Sequence, residues 1–438
     1  MARIDTLGHF LTDVADAIRT KGGTSADIQA SSFDTAIANL PGGGGTTEVE
    51  EKDVNFYDYD GKRLYSYTKT EFLALSSLPS TPTHEGLTSQ GWSWTLADAQ
   101  TSVTELGELD IGHYVITSDG ATRIYFSFTD EYRLSPYLCF AVNGTATIDW
   151  GDNTTSTATG TDLTTLVKTQ HTYATTGDYV ISISGDEICF ITTSSGSPQS
   201  MIFTMDDTTT TGLYENIYTN AIYRIELGSN VTTLEGYGFA RLNSLKVLTT
   251  SKNITSVKQQ ALAYCSFLEF YLYPSVATAG SSSFYECRAL KRALFSKTTT
   301  STNSSLFSYC YSLEKITTYN IALKSSAFAN CYSFKKVVCN NTETSLQSSL
   351  FNNCRSLAYY KVESTTTRVR GAVFAGCLSL KLVDFTSLSA VPTLDNVNAF
   401  ASVPDDYIIL VPDDLYNSWI TTNNWSNLTS HIMKESDY

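Results

Sequence analysis

The chain has 438 residues, 42% of them hydrophobic and 12% aromatic, with a formal net charge of -15. Single cores stop growing near ~250 residues, so this length predicts several cored units. The acidic balance leaves no basic surplus to neutralise phosphates, which argues against nucleic acid as a partner.

From the start of the chain, Ile4, Leu7, Leu11, Val14 and Ile18 are spaced 3, 4, 3, 4, as in a short coiled-coil seam. Two readings fit this: a helix that associates with copies of itself, or a two-helix unit whose second helix packs Phe33, Ile37 and Leu40 against the first. Pro41 and the run Gly42 to Gly45 close the unit as a hinge. Asp5, His9, Asp13 and Asp16 interrupt the apolar residues of Met1 to Thr20, and nowhere do ~18 apolar residues run together. Neither a secretory signal nor a membrane span is expected.

Residues 46–120 read as a small α+β domain. In VNFYDYDGKRLYSY, Asp60-Gly61 sits between two apolar and aromatic alternations as a hairpin turn, and a polar helix is predicted from about Thr95 to Leu106. Pro79, Pro82, His84, Trp92 and Trp94 lie between them, either as a ligand pocket or as a packed irregular segment. No chemistry is assigned to them.

Residues 121–192 alternate apolar and polar residues in short runs, with turn residues from Asp149 to Asn153. IDWGDNTT followed by His171, Tyr173, Gly177, Tyr179 and Ile181 resembles the polycystic-kidney-disease (PKD) type of immunoglobulin-like domain, although the usual proline before the histidine is absent. The resemblance implies a small β-sandwich acting as a spacer or a carbohydrate-associated module. Asp149 and Asp152 fit a turn better than a calcium site.

The C-terminal half is repetitive. Cysteines at 265, 287, 310, 331, 354 and 377 have large apolar residues three before (Leu262, Phe284, Phe307, Phe328, Phe351, Phe374) and three after (Leu268, Leu290, Leu313, Phe334, Leu357, Leu380). Phe239, Leu242 and Leu245 keep the same frame upstream, with leucine in the cysteine place. A period of 21 to 23 residues predicts a solenoid. The unit F-x-x-C-x-x-L-x-x-ϕ-x-ϕ resembles the surface-antigen (BspA-type) leucine-rich repeats, and the ending with Trp419 and Trp425 resembles their closing helical cap. The cysteines are then expected as a buried, reduced column rather than a disulfide ladder or a metal chain.

Strand alternation turns every second residue outward. One outward column contains Phe270, Arg292, Lys315, Lys336 and Tyr359. Such a basic and aromatic stripe is the candidate ligand-binding surface, suited to sugars bearing phosphate or carboxylate; alternatively the lysines only keep an exposed sheet soluble.

The five histidines are scattered and no HExxH, GxSxG or glycine-rich phosphate loop occurs, so no enzyme activity, cofactor or metal is expected. The first 45 residues resemble a leader on tail and baseplate-associated proteins of phages that infect Gram-positive gut bacteria. That resemblance implies a virion tail protein made in the host cytoplasm and joined to other tail proteins through its N-terminus. It also implies a homo-oligomer, trimer favoured, that binds a host surface glycan or protein. The alternative is a bacterial cell-surface or prophage-encoded adhesin. The expected fold is multidomain and mainly β: helical unit (1–45), β-rich linker domain (46–120), Ig-like sandwich with connector (121–221), and leucine-rich-repeat solenoid with helical cap (222–438).

Overall fold

In the computed structural model, β1 (Val54–Tyr57) and β2 (Arg63–Tyr67) form the hairpin around Asp60-Gly61, followed by α1 (Lys69–Leu73), β3 (Leu87–Trp92), α2 (Leu96–Leu106) and β4 (Leu109–Thr117). The structure describes residues 49–131, 134–192, 200–204 and 219–438; the seam of Ile4, Leu7, Leu11, Val14 and Ile18 lies outside them. The sheet order is β2-β1-β4-β3, with β1 and β4 parallel. Helix α2 starts where the Thr95 hydroxyl accepts from the Asp98 N–H and stops at Gly107, whose φ of 87° few residues but glycine adopt. Its Ala99 and Val103 bury against Val54, Phe56, Trp92, Leu109 and Ile111.

The next strands are β5 (Thr122–Phe128), β6 (Tyr137–Asp149), β7 (Thr155–Gln170), β8 (Gly177–Gly185), β9 (Ile188–Cys189) and β10 (Phe203–Thr204). Strand β6 changes neighbours near Gly144 (φ 121°): before it, β9 and β10; after it, β8, while β7 runs beside it throughout. The hydrogen bonds therefore form one continuous ladder instead of the two separate sheets expected of a sandwich. At Trp150 the turn is tied internally, because Asp149 accepts from the Gly151 N–H and Asp152 from the Thr154 N–H and from the His171 ring. His171 stacks on the buried Trp150 indole at 4.6 Å, and the Tyr173 hydroxyl donates to the Trp150 carbonyl at 3.0 Å.

From residue 222 the strands are β11 (Ile222–Glu226), β12 (Thr233–Leu234), β13 (Val247–Leu248), β14 (Ser256–Val257), β15 (Phe270–Leu272), β16 (Arg292–Leu294), β17 (Lys315–Ile321) and β18 (Lys336–Asn341). They continue with β19 (Ser345–Leu346), β20 (Tyr359–Lys361), β21 (Arg368–Val369), β22 (Leu382–Asp384), β23 (Thr393–Leu394), β24 (Ile408–Val411) and β25 (Ile432–Lys434). One face stacks β11-β13, β15-β16-β17-β18 and β20-β22-β24-β25 in parallel; the other carries β12-β14 and β19-β21-β23. Strand β5 pairs antiparallel with β11, and one hydrophobic core runs from Ile124 to Ile432, so the boundary expected at residue 221 separates no cores. Between β24 and β25 lies α3 (Tyr416–Thr421), where Trp419 and Trp425 are buried and the Trp425 indole N–H donates to the Pro392 carbonyl at 2.7 Å.

The three-residue spacing in the repeat follows from tight turns. In the repeat of Cys287, its N–H bonds the carbonyl of Phe284, and the Leu290 N–H bonds that of Cys287, each three residues back. The phenylalanines stack along the solenoid, with steps of 5.5 Å from Phe284 to Phe307 and 5.8 Å from Phe307 to Phe328. All nine cysteines are unpaired thiols. Each column thiol donates to the carbonyl three residues before the cysteine position of the preceding repeat: Cys287 Sγ to Leu262 at 3.2 Å, Cys310 to Phe284 at 3.1 Å, Cys331 to Phe307 at 3.0 Å. A small side chain with a weak donor fits that place.

Candidate functional site

The small domain lies on the outward face of the repeat sheet. Side chains alternate along β4, so Leu109 and Ile111 enter its own core while Asp110, Gly112 and Tyr114 meet successive repeats. Asp110 Oδ2 is 3.3 Å from Lys315 Nζ and 3.8 Å from Arg292 Nη1, and the Asp110 N–H bonds Thr317 Oγ1 at 2.8 Å. Tyr57 and Tyr114 pack with Phe270, Leu272 and Leu294 in one buried cluster. The Tyr114 hydroxyl donates to the Tyr273 carbonyl at 2.6 Å, and the Trp94 indole N–H to that of Phe295 at 2.9 Å. Two glycines permit the approach: a Cβ on Gly112 would stand 2.6 Å from Leu272 Cδ1, and one on Gly61 2.7 Å from Phe270 Cβ.

The outward stripe is consequently not an open surface. Phe270 is 7% exposed, Arg292 and Lys315 face the Asp110 carboxylate, and Lys336 pairs with Glu108, whereas Tyr359 stays 48% exposed. The correction has a simple cause. Alternation decides which residues leave the repeat core, but not whether another part of the chain covers them.

Where the small domain ends, the sheet is broken. No ladder joins β18 to β20 among the described residues, and a cleft of about 420 Å³ opens there beside the C-terminal end of α2. Its walls include Glu105, Lys336, Asn340, Tyr359, Lys361 and Glu363. The Glu105 carboxylate accepts from the Tyr319 hydroxyl at 2.8 Å and from Asn340 Nδ2 at 3.2 Å, which fixes one wall. On the other, Tyr359 donates to Asp384 Oδ2 at 3.2 Å; burial and the Asp384 charge push its phenol up to about 12. Burial also lifts the Glu363 carboxyl above its usual range, offset in part by the Asn341 N–H and by the charge of Lys361. Aromatic surface, an amide, two ammonium groups and two carboxylates thus converge on one cleft. Lys336 and Tyr359 were legible in the sequence as outward residues; Glu105 and Asn340 were not, since one lies on a helix more than 200 residues from the strand bearing the other.

Two further clusters stand apart from the cleft. On the turn side of the repeats, Tyr264, Tyr285, Tyr309, Tyr311 and Tyr332 form a chain of ring contacts, with Arg241, Arg288 and Arg355 over the Tyr264, Tyr311 and Tyr332 rings. Only Tyr311 and Tyr332 stack face to face, at 4.7 Å; the other rings of the chain meet edge-on or tilted. In the small domain, Asp58, His84 and His113 present one ligand atom each, all within 4.8 Å of one another. Burial works against the Asp58 charge, but the polar contact with His113 and the hydrogen bond from the Tyr59 N–H outweigh it and hold the carboxyl below the usual range.

Residues 212–322 and 318–403 match the BspA type leucine rich repeat region in six copies. This part of the chain carries BspA-type leucine-rich repeats. The chain is similar to a leucine-rich repeat protein from Eubacterium ventriosum (24% identity, 39% of this chain and 44% of that one, TM-score 0.32). It is also similar to a leucine-rich repeat protein from Bacteroides ovatus (13%, 48% and 76%, TM-score 0.27) and to a leucine rich cell surface protein from Faecalibacterium prausnitzii (17%, 46% and 60%, TM-score 0.31). The chain spans under half the length of the first of these. No curated protein matches it. The BspA-type repeats build the sheet on which the cleft opens and supply Lys336, Asn340, Tyr359, Lys361 and Glu363.

Proposed function

We propose that this chain is a non-catalytic recognition protein of the bacterial surface leucine-rich-repeat kind, and that the cleft between β18 and β20 receives a hydroxyl-rich carbohydrate. The break in the sheet carries the reading, because a cleft opens there on the repeat face and the small domain lines only its edge, through Glu105 and Leu106. An exposed tyrosine, an asparagine amide and charged groups of both signs match the apolar faces and the hydroxyl edges of a sugar. With Arg292 and Lys315 held by Asp110, and Lys336 by Glu108, the cation surplus that would favour a polyanion is largely offset. The test is binding of the labelled full chain to an array of bacterial glycans, alongside Tyr359→Ala and Lys361→Glu. Loss of signal in both variants supports the reading, and equal binding by all three sinks it.

A second reading is favoured by the first 45 residues, which resemble the leader of phage tail and baseplate-associated proteins. In it the chain is a virion component joined to other tail proteins through its N-terminus, oligomerises through Ile4, Leu7, Leu11, Val14 and Ile18, and turns the same cleft toward the host surface. Mass spectrometry of purified virions and of bacterial envelope fractions separates the two. Peptides of this chain in virions alone would replace the first reading with the second.

A further inference from the structure

Asp58 leaves the end of β1, His84 sits in the turn that leads into β3, and His113 lies in β4, so the sheet brings together three residues far apart in sequence. His113 is fully buried. Its Nε2 is 2.7 Å from Ser89 Oγ, and that hydroxyl gives its own proton to Thr81 Oγ1 at 3.0 Å. With the Ser89 proton directed at Thr81, its oxygen accepts from the Gly91 N–H and from His113, and this hydrogen-bond pattern assigns the ring proton to Nε2. Nδ1, 3.0 Å from Asp58 Oδ1, is then a lone pair facing a carboxylate lone pair unless a cation lies between them. A second imidazole converges on the same carboxylate, His84 Nε2 standing 2.9 Å from Asp58 Oδ2.

A single proton on His113 would satisfy the first contact and would need no second imidazole. A divalent ion would use both. We propose that Asp58, His84 and His113 form a binding site for a divalent transition metal of the zinc class, with Asp58 Oδ, His84 Nε2 and His113 Nδ1 as ligands. Donors around tetrahedral zinc, at about 2.0–2.2 Å from the ion, lie roughly 3.3 Å from one another, so the two carboxylate–imidazole separations of 2.9 and 3.0 Å need only a small expansion. Ser89 acts on the far nitrogen of His113 as an outer partner that fixes ring and tautomer, and the Tyr59 N–H, 2.8 Å from Asp58 Oδ1, fixes the carboxylate. The His84 side chain is 25% exposed, which gives an ion a way in. Arg224, whose guanidinium donates to the Tyr59 hydroxyl at 3.0 Å, is paired with Glu226 and brings little net charge nearby. Three protein donors leave the fourth position of a tetrahedral ion to water or to a donor atom of a ligand.

The experiment uses the full chain, stripped with chelator and titrated calorimetrically with Zn²⁺, beside His84→Ala and Ser89→Ala. Equal far-UV circular dichroism of the three metal-free proteins controls for folding, and both substituted positions are solvent-accessible. One equivalent of Zn²⁺ should bind wild type, weaken about 100-fold or more in His84→Ala, and weaken roughly 10- to 100-fold in Ser89→Ala. Co²⁺ bound to wild type should show the visible bands of a four-coordinate ion, absent in His84→Ala. Failure of the full chain to take up Zn²⁺, or an equivalent that His84→Ala retains at equal affinity, overturns the site and leaves a protonated His113 as the partner of Asp58.

Discussion

Asp110 Oδ2 and Lys315 Nζ are 3.3 Å apart, with 2% and 13% of their side chains exposed, and they join the small domain to the repeat sheet across 205 positions of sequence. The Asn55 amide donates to the other oxygen of the same carboxylate at 3.0 Å. Removing one member of a buried pair strands the other charge. Asp110→Asn should therefore cost about 3–5 kcal/mol in urea unfolding. Adding Lys315→Met should recover part of that loss; a double variant no more stable than the single one would show that the pair is not what couples the two charges.

Gly112 and Leu272 set how closely β4 approaches the repeats. Gly112→Ala should destabilise by about 1–3 kcal/mol, because the added methyl meets Leu272 inside a packed cluster. In a double-mutant cycle, Leu272→Ala should make room for the methyl, so that the two substitutions together cost less than their sum. Strict additivity would mean that the approach is not limiting.

The thiol column gives the protein an alkaline limit. Burial pushes Cys265 and Cys377 up to about 12, and Cys287, Cys310 and Cys354 well above the ordinary thiol value. Unfolded thiols ionise near about 8.5. The unfolded chain thus loses these protons first: the contribution to stability is complete below pH ~8.5 and falls as pH rises toward 12, by about 1.4 kcal/mol per pH unit for each thiol. Urea midpoints between pH 8 and 9, below the range where tyrosines ionise at about 10, should drop steeply, and less so in Cys310→Val. A flat profile would contradict a protonated column.

Cleft binding should depend only weakly on salt. Lys336 is paired with Glu108, and Lys361 acts on Glu363, so a neutral sugar gains little from long-range attraction. Glycan affinity measured at 0.05 and at 0.5 M salt should differ by less than about threefold if exposed ions are screened as expected. A loss of tenfold or more would point to a polyanion and restore the lysines as its chief contacts.

The repeat was legible in the sequence because it is periodic. Six cysteines in one frame place their turns, their stacked rings and the alternation of Tyr271 and Tyr273 inward with Phe270 and Leu272 outward, all of which rest on contacts between neighbouring positions or neighbouring repeats. Which outward residues meet water was decided by tertiary structure. The meeting of Asp110 with Lys315, of Gly112 with Leu272, and of Asp58 with His84 and His113 depends on how a nonperiodic domain folds and then docks. Each such contact occurs once, between distant positions, and a single chain offers no repeated pattern from which to read it.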